Sequence, residues 1–286
     1  VGKNKNGFSL SLSGCGIGFK LIQAIQKEKH RFFDEILNFL DLVAISIAAD
    51  VVPLTGENRV LAFYGLKVIN RCPRVGIEAI LSYSKIKPEP NAKLYFNREL
   101  TISDLVFLVG PRINAAGRME SGGKAVELLK SNSREEVEKI AAEINQNNEA
   151  RKDLDKKATE EAKKMLTSCA DLTSKKTTVV YGKDWHKGVI GIVASRLIEK
   201  YYKPTIVFTK SNDLITGSAR SVKDFDIYAA IESCSHLLTH FGGHKFAAGL
   251  SLEEKNLEEF MRLFEQEVEK KITDGQMIPE IEIDLE

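Results

Sequence analysis

Apolar positions along the chain follow one pattern in its first half and another from about residue 177 onward. Before that point helical spacing dominates. Phe19–Ile25 follows the Gly-rich run Ser13-Gly-Cys-Gly-Ile-Gly18 as an apolar helical pattern. Glu57–Asn70 and Gly76–Tyr83 read as amphipathic helices, with apolar residues recurring every three or four positions. Asp41–Ala49 is almost continuously apolar and ends at Asp50. Its length fits a buried strand or a buried helix turn, and periodicity alone does not separate them. Ser103–Val109 runs into Gly110-Pro-Arg-Ile-Asn-Ala-Ala-Gly-Arg118, a stretch read as too punctuated for regular structure. Ser133-Arg-Glu-Glu136 fits a capping box, Ser133 as N-cap and Glu136 three residues on. The helix it opens runs to about Leu166 on a narrow apolar stripe. At roughly 1.5 Å per residue it would span about 50 Å, a rigid connector between domains. Asn145–Asn148 is its weakest stretch.

From Thr177 the pattern becomes strand-like. Thr177–Tyr181 and Pro204–Thr209 read as buried strands around a helix, Val189–Tyr202, and Leu214–Ala219 as a third strand. A β-α-β order implies a parallel pair with a right-handed crossover. Asp226–Leu238 reads as helix, Phe246–Leu252 as strand and Glu253–Lys271 as an amphipathic helix. Residues 1–12 read as loop and Asp274–Pro279 as linker. The whole is an α/β chain of two lobes joined by a long helix.

Composition changes little in this picture. The 286 residues leave room for two domains with real cores, and 43% hydrophobic and 28% charged residues are ordinary for a globular protein. A net charge of +1 gives no global basic field, so a nucleic-acid partner would need a local patch. Cys15, Cys72, Cys169 and Cys234 form no C-x-x-C pair. That argues against structural zinc and a disulfide framework, and for reduced thiols in an intracellular protein. No apolar run reaches the roughly 18 residues of a membrane span, and no signal-peptide pattern opens the chain. It begins at Val1 and closes on the strand-like Pro279-Glu-Ile-Glu-Ile-Asp-Leu-Glu286, so it is read as a piece of a longer polypeptide.

Candidate chemistry gathers at a few segments. In Phe241-Gly-Gly-His-Lys-Phe-Ala-Ala-Gly249 two glycines free the backbone and a titratable donor follows at once. Backbone N–H groups beside such a donor suit an anion, most simply a phosphate. The same residues also fit a Gly-Gly turn with a surface histidine. Ser218-Ala-Arg-Ser221 puts two hydroxyls and a guanidinium at a strand end, where α/β sheets gather ligands. Arg112 and Arg118 stand among small residues, where guanidinium forks match phosphate oxygens. Asp50 is a turn aspartate or a metal ligand. His186, in Asp184-Trp-His-Lys-Gly-Val-Ile-Gly191, shapes a turn with Trp185 or faces a site, and Gly188 and Gly191 suggest close helix–sheet packing. The spacing in Ser13–Gly18 suits a helix-entry turn better than a dinucleotide loop.

Six segments together resemble the DHH phosphoesterase family, and within it the single-strand-specific exonuclease branch. They are Leu12–Leu21, Ala48–Leu54, Gly110–Arg118, Trp185–Ser195, Ser218–Ser221 and Phe241–Gly249, in family order and spread over nearly the whole chain. The resemblance implies a two-domain enzyme with its active site in the cleft between lobes. Residues 1–130 would be the C-terminal part of the DHH catalytic domain and 131–170 the connecting helix. Residues 171–272 would be the DHH-associated substrate-binding domain, and 273–286 a linker and the start of an oligonucleotide-binding barrel. The implied cofactor is manganese or magnesium in a two-metal site, with Asp50 a metal ligand. Asp50, Arg112 and His244 take the catalytic roles. Arg112, Asn114, Arg118, Ser218, Arg220, Gly243 and His244 form the phosphate grip. The implied activity is 5′-to-3′ hydrolysis of single-stranded DNA in repair and recombination, in the cytoplasm, with no membrane partner.

One departure bears on this. The family's Asp-His-His triplet is missing, because the histidines at 30, 186, 236, 240 and 244 include no adjacent pair. Those ligands are expected before Val1, and the piece alone is expected to be nearly inactive. Two other readings share the fold: a short-oligonucleotide or cyclic-dinucleotide phosphodiesterase, and a non-catalytic nucleic-acid-binding scaffold.

Overall fold

A computed structural model describes residues 11–91, 93–168, 174–281 and 283. Its contacts divide the chain into two units, Val1–Ala150 and Arg151–Glu286.

Helices build the first unit. α1 (Gly14–Glu28) starts at Ser13, whose hydroxyl accepts from the Gly16 N–H at 3.2 Å. The Gly-rich run is therefore helix entry. A 3-10 turn at Phe33–Phe39 leads into α2 (Leu40–Ala49), which settles the open reading of that apolar segment as helix. Seven of its ten residues are buried, so helices enclose it on most sides. α3 (Gly56–Arg71) crosses α2 at Gly65, where a Cβ would stand 2.2 Å from the Leu40 carbonyl oxygen. α4 (Val75–Leu81) follows.

The segment read as irregular is helical. α5 (Ile102–Asp104), a π-helical turn (Leu105–Val109) and α6 (Gly110–Met119) run on without interruption. Pro111 lies in the first turn of α6, where its missing N–H costs nothing. Gly110 and Ala115 let this helix close on its neighbours: a Cβ at Gly110 would meet Ala49 at 3.4 Å, and Ala115 is fully buried. Small residues punctuate the sequence here because they serve helix packing. The Asp104 carboxylate accepts from the Thr101 N–H at 2.8 Å and from Arg98 at 2.5 Å, which anchors the start of this long helical run. α7 (Gly123–Lys130) completes the set.

α8 (Arg134–Thr167) is unbroken over 34 residues. Ser133 accepts from the Glu136 N–H at 3.4 Å, but the Glu136 carboxylate takes its bond from Ser131, so only half the capping box forms. The boundary between units falls inside this helix. Its first half supplies Val137, Ile140, Ala141 and Ile144 to the first unit's core. Its second half supplies Ala158, Ala162 and Leu166 to a core in the second. The two halves of the helix thus belong to the cores of different units. Asn145–Asn148 does not interrupt it, because Asn145 is tied to Arg112 and Asn148 is buried. Residues 169 and 170, at the end of the expected connector, lie outside the described residues.

The second unit is a five-stranded mixed sheet in the order β1-β2-β3-β5-β4. β1 (Thr178–Tyr181) and β2 (Thr205–Ser211) are parallel, joined by α9 (Ile190–Tyr201), as the β-α-β reading requires. β3 (Leu214–Arg220) pairs antiparallel with β2. α10 (Ile227–Glu232) is shorter than the expected helix, because β4 (Leu238–His244) begins at Leu238. β5 (Ala247–Leu252) and α11 (Leu257–Lys271) follow. One sheet face carries Ala219, Ala248, Leu250 and Leu252 into a core with Phe260, Phe264 and Val268 of α11. The other bears Val207, packed with Val193 and Leu197 of α9. The barrel expected after Pro279 falls largely outside the described residues, as does most of the loop expected at 1–12.

Two stability outcomes follow. Gly65→Ala is expected to destabilise the chain by about 1–3 kcal/mol through overpacking on α2. Gly18→Ala has nothing within 4 Å of the new methyl group and should be neutral or stabilising by about 0.5–1 kcal/mol. Urea unfolding of both variants checks this. The second concerns acid. Arg98, first, and the bonds at Thr101 pull the Asp104 carboxyl down to about 2. A depressed carboxylate contributes stability above its unfolded value near 3.8, and that stability is lost as pH falls toward 2. With Arg98 half exposed, Asp104→Asn should cost about 1–2 kcal/mol at pH 7 and flatten the loss between pH 4 and 2, read by urea titrations at each pH.

Candidate functional site

The Phe241–Gly249 motif is two strands. Gly242, Gly243 and His244 pair with Gly249, Ala248 and Ala247, and the turn is Lys245–Phe246. Of the two readings open for this motif, the Gly-Gly turn does not hold: the glycines serve the strand pairing. Gly243 takes φ +151°, and a Cβ there would stand 2.3 Å from the Ala247 oxygen and 2.5 Å from Ala248 Cα. Only glycine lets β4 approach β5 this closely.

Register then aligns the polar groups. Arg220 on β3 faces Ala247 on β5, and Ala247 faces His244 on β4. Residues in one such row share a face of the sheet. The next row is Ser218, Gly249 and Gly242. Arg220 and His244 therefore flank a strip of small residues. At about 4.8 Å per strand spacing their backbones stand about 10 Å apart. The Arg220 guanidinium donates to Ser218 Oγ at 3.3 Å and to the Ala219 carbonyl at 2.8 Å. Gly191, in the first turn of α9, is what lets it lie there: a Cβ would meet Ser218 Oγ at 3.0 Å and Arg220 Nη2 at 3.1 Å. Gly191 is a site residue that sequence reading treated only as packing, although its spacing from Gly188 signalled close approach.

His244 is exposed, and its Nδ1 accepts from the Phe246 N–H at 3.2 Å. The hydrogen of the neutral ring is then on Nε2, which leaves Nε2 as a donor toward a ligand. Site and helix combine a guanidinium, two donors (Ser218 and His244) and a nearby helix N-terminus, a set suited to an oxyanion. His186 takes the turn-shaping role: its Nδ1 accepts from the Gly188 N–H at 3.0 Å, and Trp185 is buried with its indole donating to Glu161.

The first-unit candidates separate. Asp50 closes α2 and is exposed. It lines a pocket of about 550 Å³ with Asn114, Ser46, Cys15 and apolar side chains of α2, α6 and α7. Asn114 donates to the Ala49 carbonyl at 3.3 Å, which holds α6 beside Asp50. Arg118, one turn on, is exposed on the same helix face. Arg112 points the other way. It is 8% exposed and donates to Asn145 at 3.0 Å, to the Leu108 carbonyl at 2.6 Å and to the Tyr83 carbonyl at 3.3 Å. Burial lowers its pKa from the usual arginine range, against the pull of Glu149. In this structure Arg112 ties α6 to α8, a role that differs from phosphate contact. The partner residue, Asn145, was missed because mid-helix asparagine reads as a weak point.

Among the described residues no group of three His, Cys, Asp or Glu converges to hold a metal. Asp50 brings one carboxylate, and the residues present do not by themselves fit a metal ion. No helix of the described residues is long and apolar enough to cross a membrane.

Comparison with known proteins gives this geometry a class. Residues 174–270, within the second unit, match the DHHA1 domain. The chain as a whole is similar to the single-stranded-DNA-specific exonuclease RecJ of several bacteria. It is 35% identical to the Bacillus subtilis protein over 277 residues, 96% of this chain and 33% of the relative. It is 36% identical to the Haemophilus influenzae protein, covering 91% of this chain and 46% of the relative. Among solved structures, Thermus thermophilus RecJ in complex with Mn²⁺ superposes with a TM-score of 0.77 at 28% identity, over 93% of this chain and 38% of that one. The chain spans a third to a half of the length of the curated relatives it matches.

Two arginine substitutions separate the roles assigned in the first unit. Arg112→Ala removes three part-buried hydrogen bonds of a buried guanidinium and should cost about 1.5–3 kcal/mol, whereas Arg118→Ala should change stability by less than about 0.5 kcal/mol. Denaturant midpoints of the two variants check this.

Proposed function

We propose that this chain is the strand-gripping part of a single-strand-specific DNA exonuclease that degrades DNA in the 5′-to-3′ direction and serves repair and recombination in the cytoplasm. The observation that carries the reading is the row Arg220–Ala247–His244, with Ser218 and the N-terminus of α9 beside it. A phosphate over Ala247 would receive the guanidinium from one side and the His244 Nε2–H from the other. The small residues Ala247, Gly249 and Gly242 leave the backbone of a strand room to lie along the sheet. Arg220 holds charge at any working pH, so its contribution is positional and electrostatic. The kinship with RecJ supports single-stranded DNA as the polymer.

In the first unit, Asp50, Asn114 and Arg118 share an exposed surface, and we assign them the carboxylate and polar groups that work with a divalent metal, manganese or magnesium, in the longer protein. The metal would supply polarisation of the phosphoryl oxygen. The described residues provide one ligand for it, so hydrolysis by this chain alone is not part of the proposal. Domain limits follow the same reading: DHH-type residues up to 130, the α8 segment, and the DHHA1 domain as the grip.

Binding of a 5′-phosphorylated single strand by fluorescence anisotropy tests the grip. Arg220→Ala and His244→Ala should each weaken it by about 1.5–3 kcal/mol, the worth of a charge-assisted hydrogen bond. Unchanged affinity in both variants would overturn the assignment. With manganese added, the chain alone should leave the strand intact. Robust cleavage abolished by Asp50→Ala would show that the metal site is complete here after all.

A further inference from the structure

Between residues 174 and 271, Phe246 is the only exposed large hydrophobic side chain among the described residues, at 55%. The position does not call for it. A two-residue hairpin turn favours Gly, Asn or Asp, and a bare phenyl ring gains nothing there from folding. Nor is the tip loose. The Phe246 N–H donates to His244 Nδ1 at 3.2 Å, its carbonyl accepts from the Ser221 N–H at 3.0 Å, and the Lys245 carbonyl accepts from the Ile227 N–H at 3.2 Å. The tip is thus fixed to the end of β3 and the start of α10. The ring stands edge-on to His244, centroids 6.1 Å apart at 67°, with the Lys245 ammonium 5.6 Å from its centre. An aromatic face is held rigidly beside a phosphate-binding imidazole, with a further positive charge next to it.

We propose that Phe246 is the base-stacking platform of the grip: a base of the nucleotide whose phosphate lies at Arg220 and His244 packs against its ring. This rests on the phosphate reading of that row. Stacking on an aromatic ring tolerates every base, because each has a π face. A single fixed ring next to a phosphate site therefore sets the register of the strand without selecting its sequence. It also separates a polymer with bases from a bare sugar-phosphate chain.

The test compares two strands of equal length, both 5′-phosphorylated and labelled at the 3′ end: oligothymidylate and its abasic counterpart. Binding of the whole chain is read by anisotropy. Phe246→Ala should weaken oligothymidylate about tenfold and the abasic strand less than twofold. Phe246→Trp should restore oligothymidylate, and Phe246→Leu, which keeps apolar bulk without a π face, should not. Loss on both strands alike, loss on neither, or rescue by leucine overturns the proposal. Arg220→Ala is the separate control and should weaken both strands. If it weakens neither while Phe246→Ala still discriminates between them, the phosphate reading has failed and the stacking platform stands.

Discussion

The close approach of β4 to β5 at Gly243 is the constraint on which the rest of the site depends. With φ +151° and the Ala247 oxygen 2.3 Å from where a Cβ would stand, no other residue fits without opening the hairpin. That contact fixes the register, and the register puts His244 in the row of Arg220. A slip of one residue would turn His244 to the face occupied by Phe260 and Phe264 and bring Gly243 into its place. A steric requirement at one glycine thereby decides the electrostatics of a surface two strands wide.

Gly191 has a matching role from the opposite side. The first turn of α9 comes close enough that a Cβ would press on Ser218 and Arg220. Removing it gives the guanidinium a place beside the N–H groups of a helix start. Arginine and helix terminus repel each other weakly and share an attraction for anions. Their closeness therefore costs a little. Ser218 lessens that cost by accepting one of the guanidinium hydrogens.

Much of this was legible in the sequence. The β-α-β order of Thr177–Thr209, the helix from Ser133 and the candidate groups at Ser218, Arg220 and His244 follow from period and chemistry. What could not be read has common causes. Gly242 and Gly243 looked like a turn because glycine frees the chain in either setting, and only the partner strand shows which freedom is used. Gly110–Arg118 looked irregular because small residues and proline punctuate loops, yet here they are the contact surface of α6 against Ala49. Asp41–Ala49 was ambiguous because burial on most sides erases the periodicity that distinguishes helix from strand. Asn145 read as a weakness because its partner is 33 residues away.

Arg112 and Arg220 show how far residue type alone carries an argument. Both stand among small residues in segments that suggest a phosphate. Arg112 lies on the inward face of α6, where three carbonyl-type oxygens already take its donors. Releasing it to a ligand would break all three of these part-buried bonds, at a cost on the order of a kilocalorie per mole each. Arg220 is the last residue of the central strand of the sheet, half-buried, on the face that carries Ala247 and His244. Its guanidinium donates to Ser218 Oγ and to the Ala219 carbonyl, both on its own strand, so these bonds tie no second element to β3. Arg112 thus bonds across separate elements, whereas these two Arg220 bonds stay within β3.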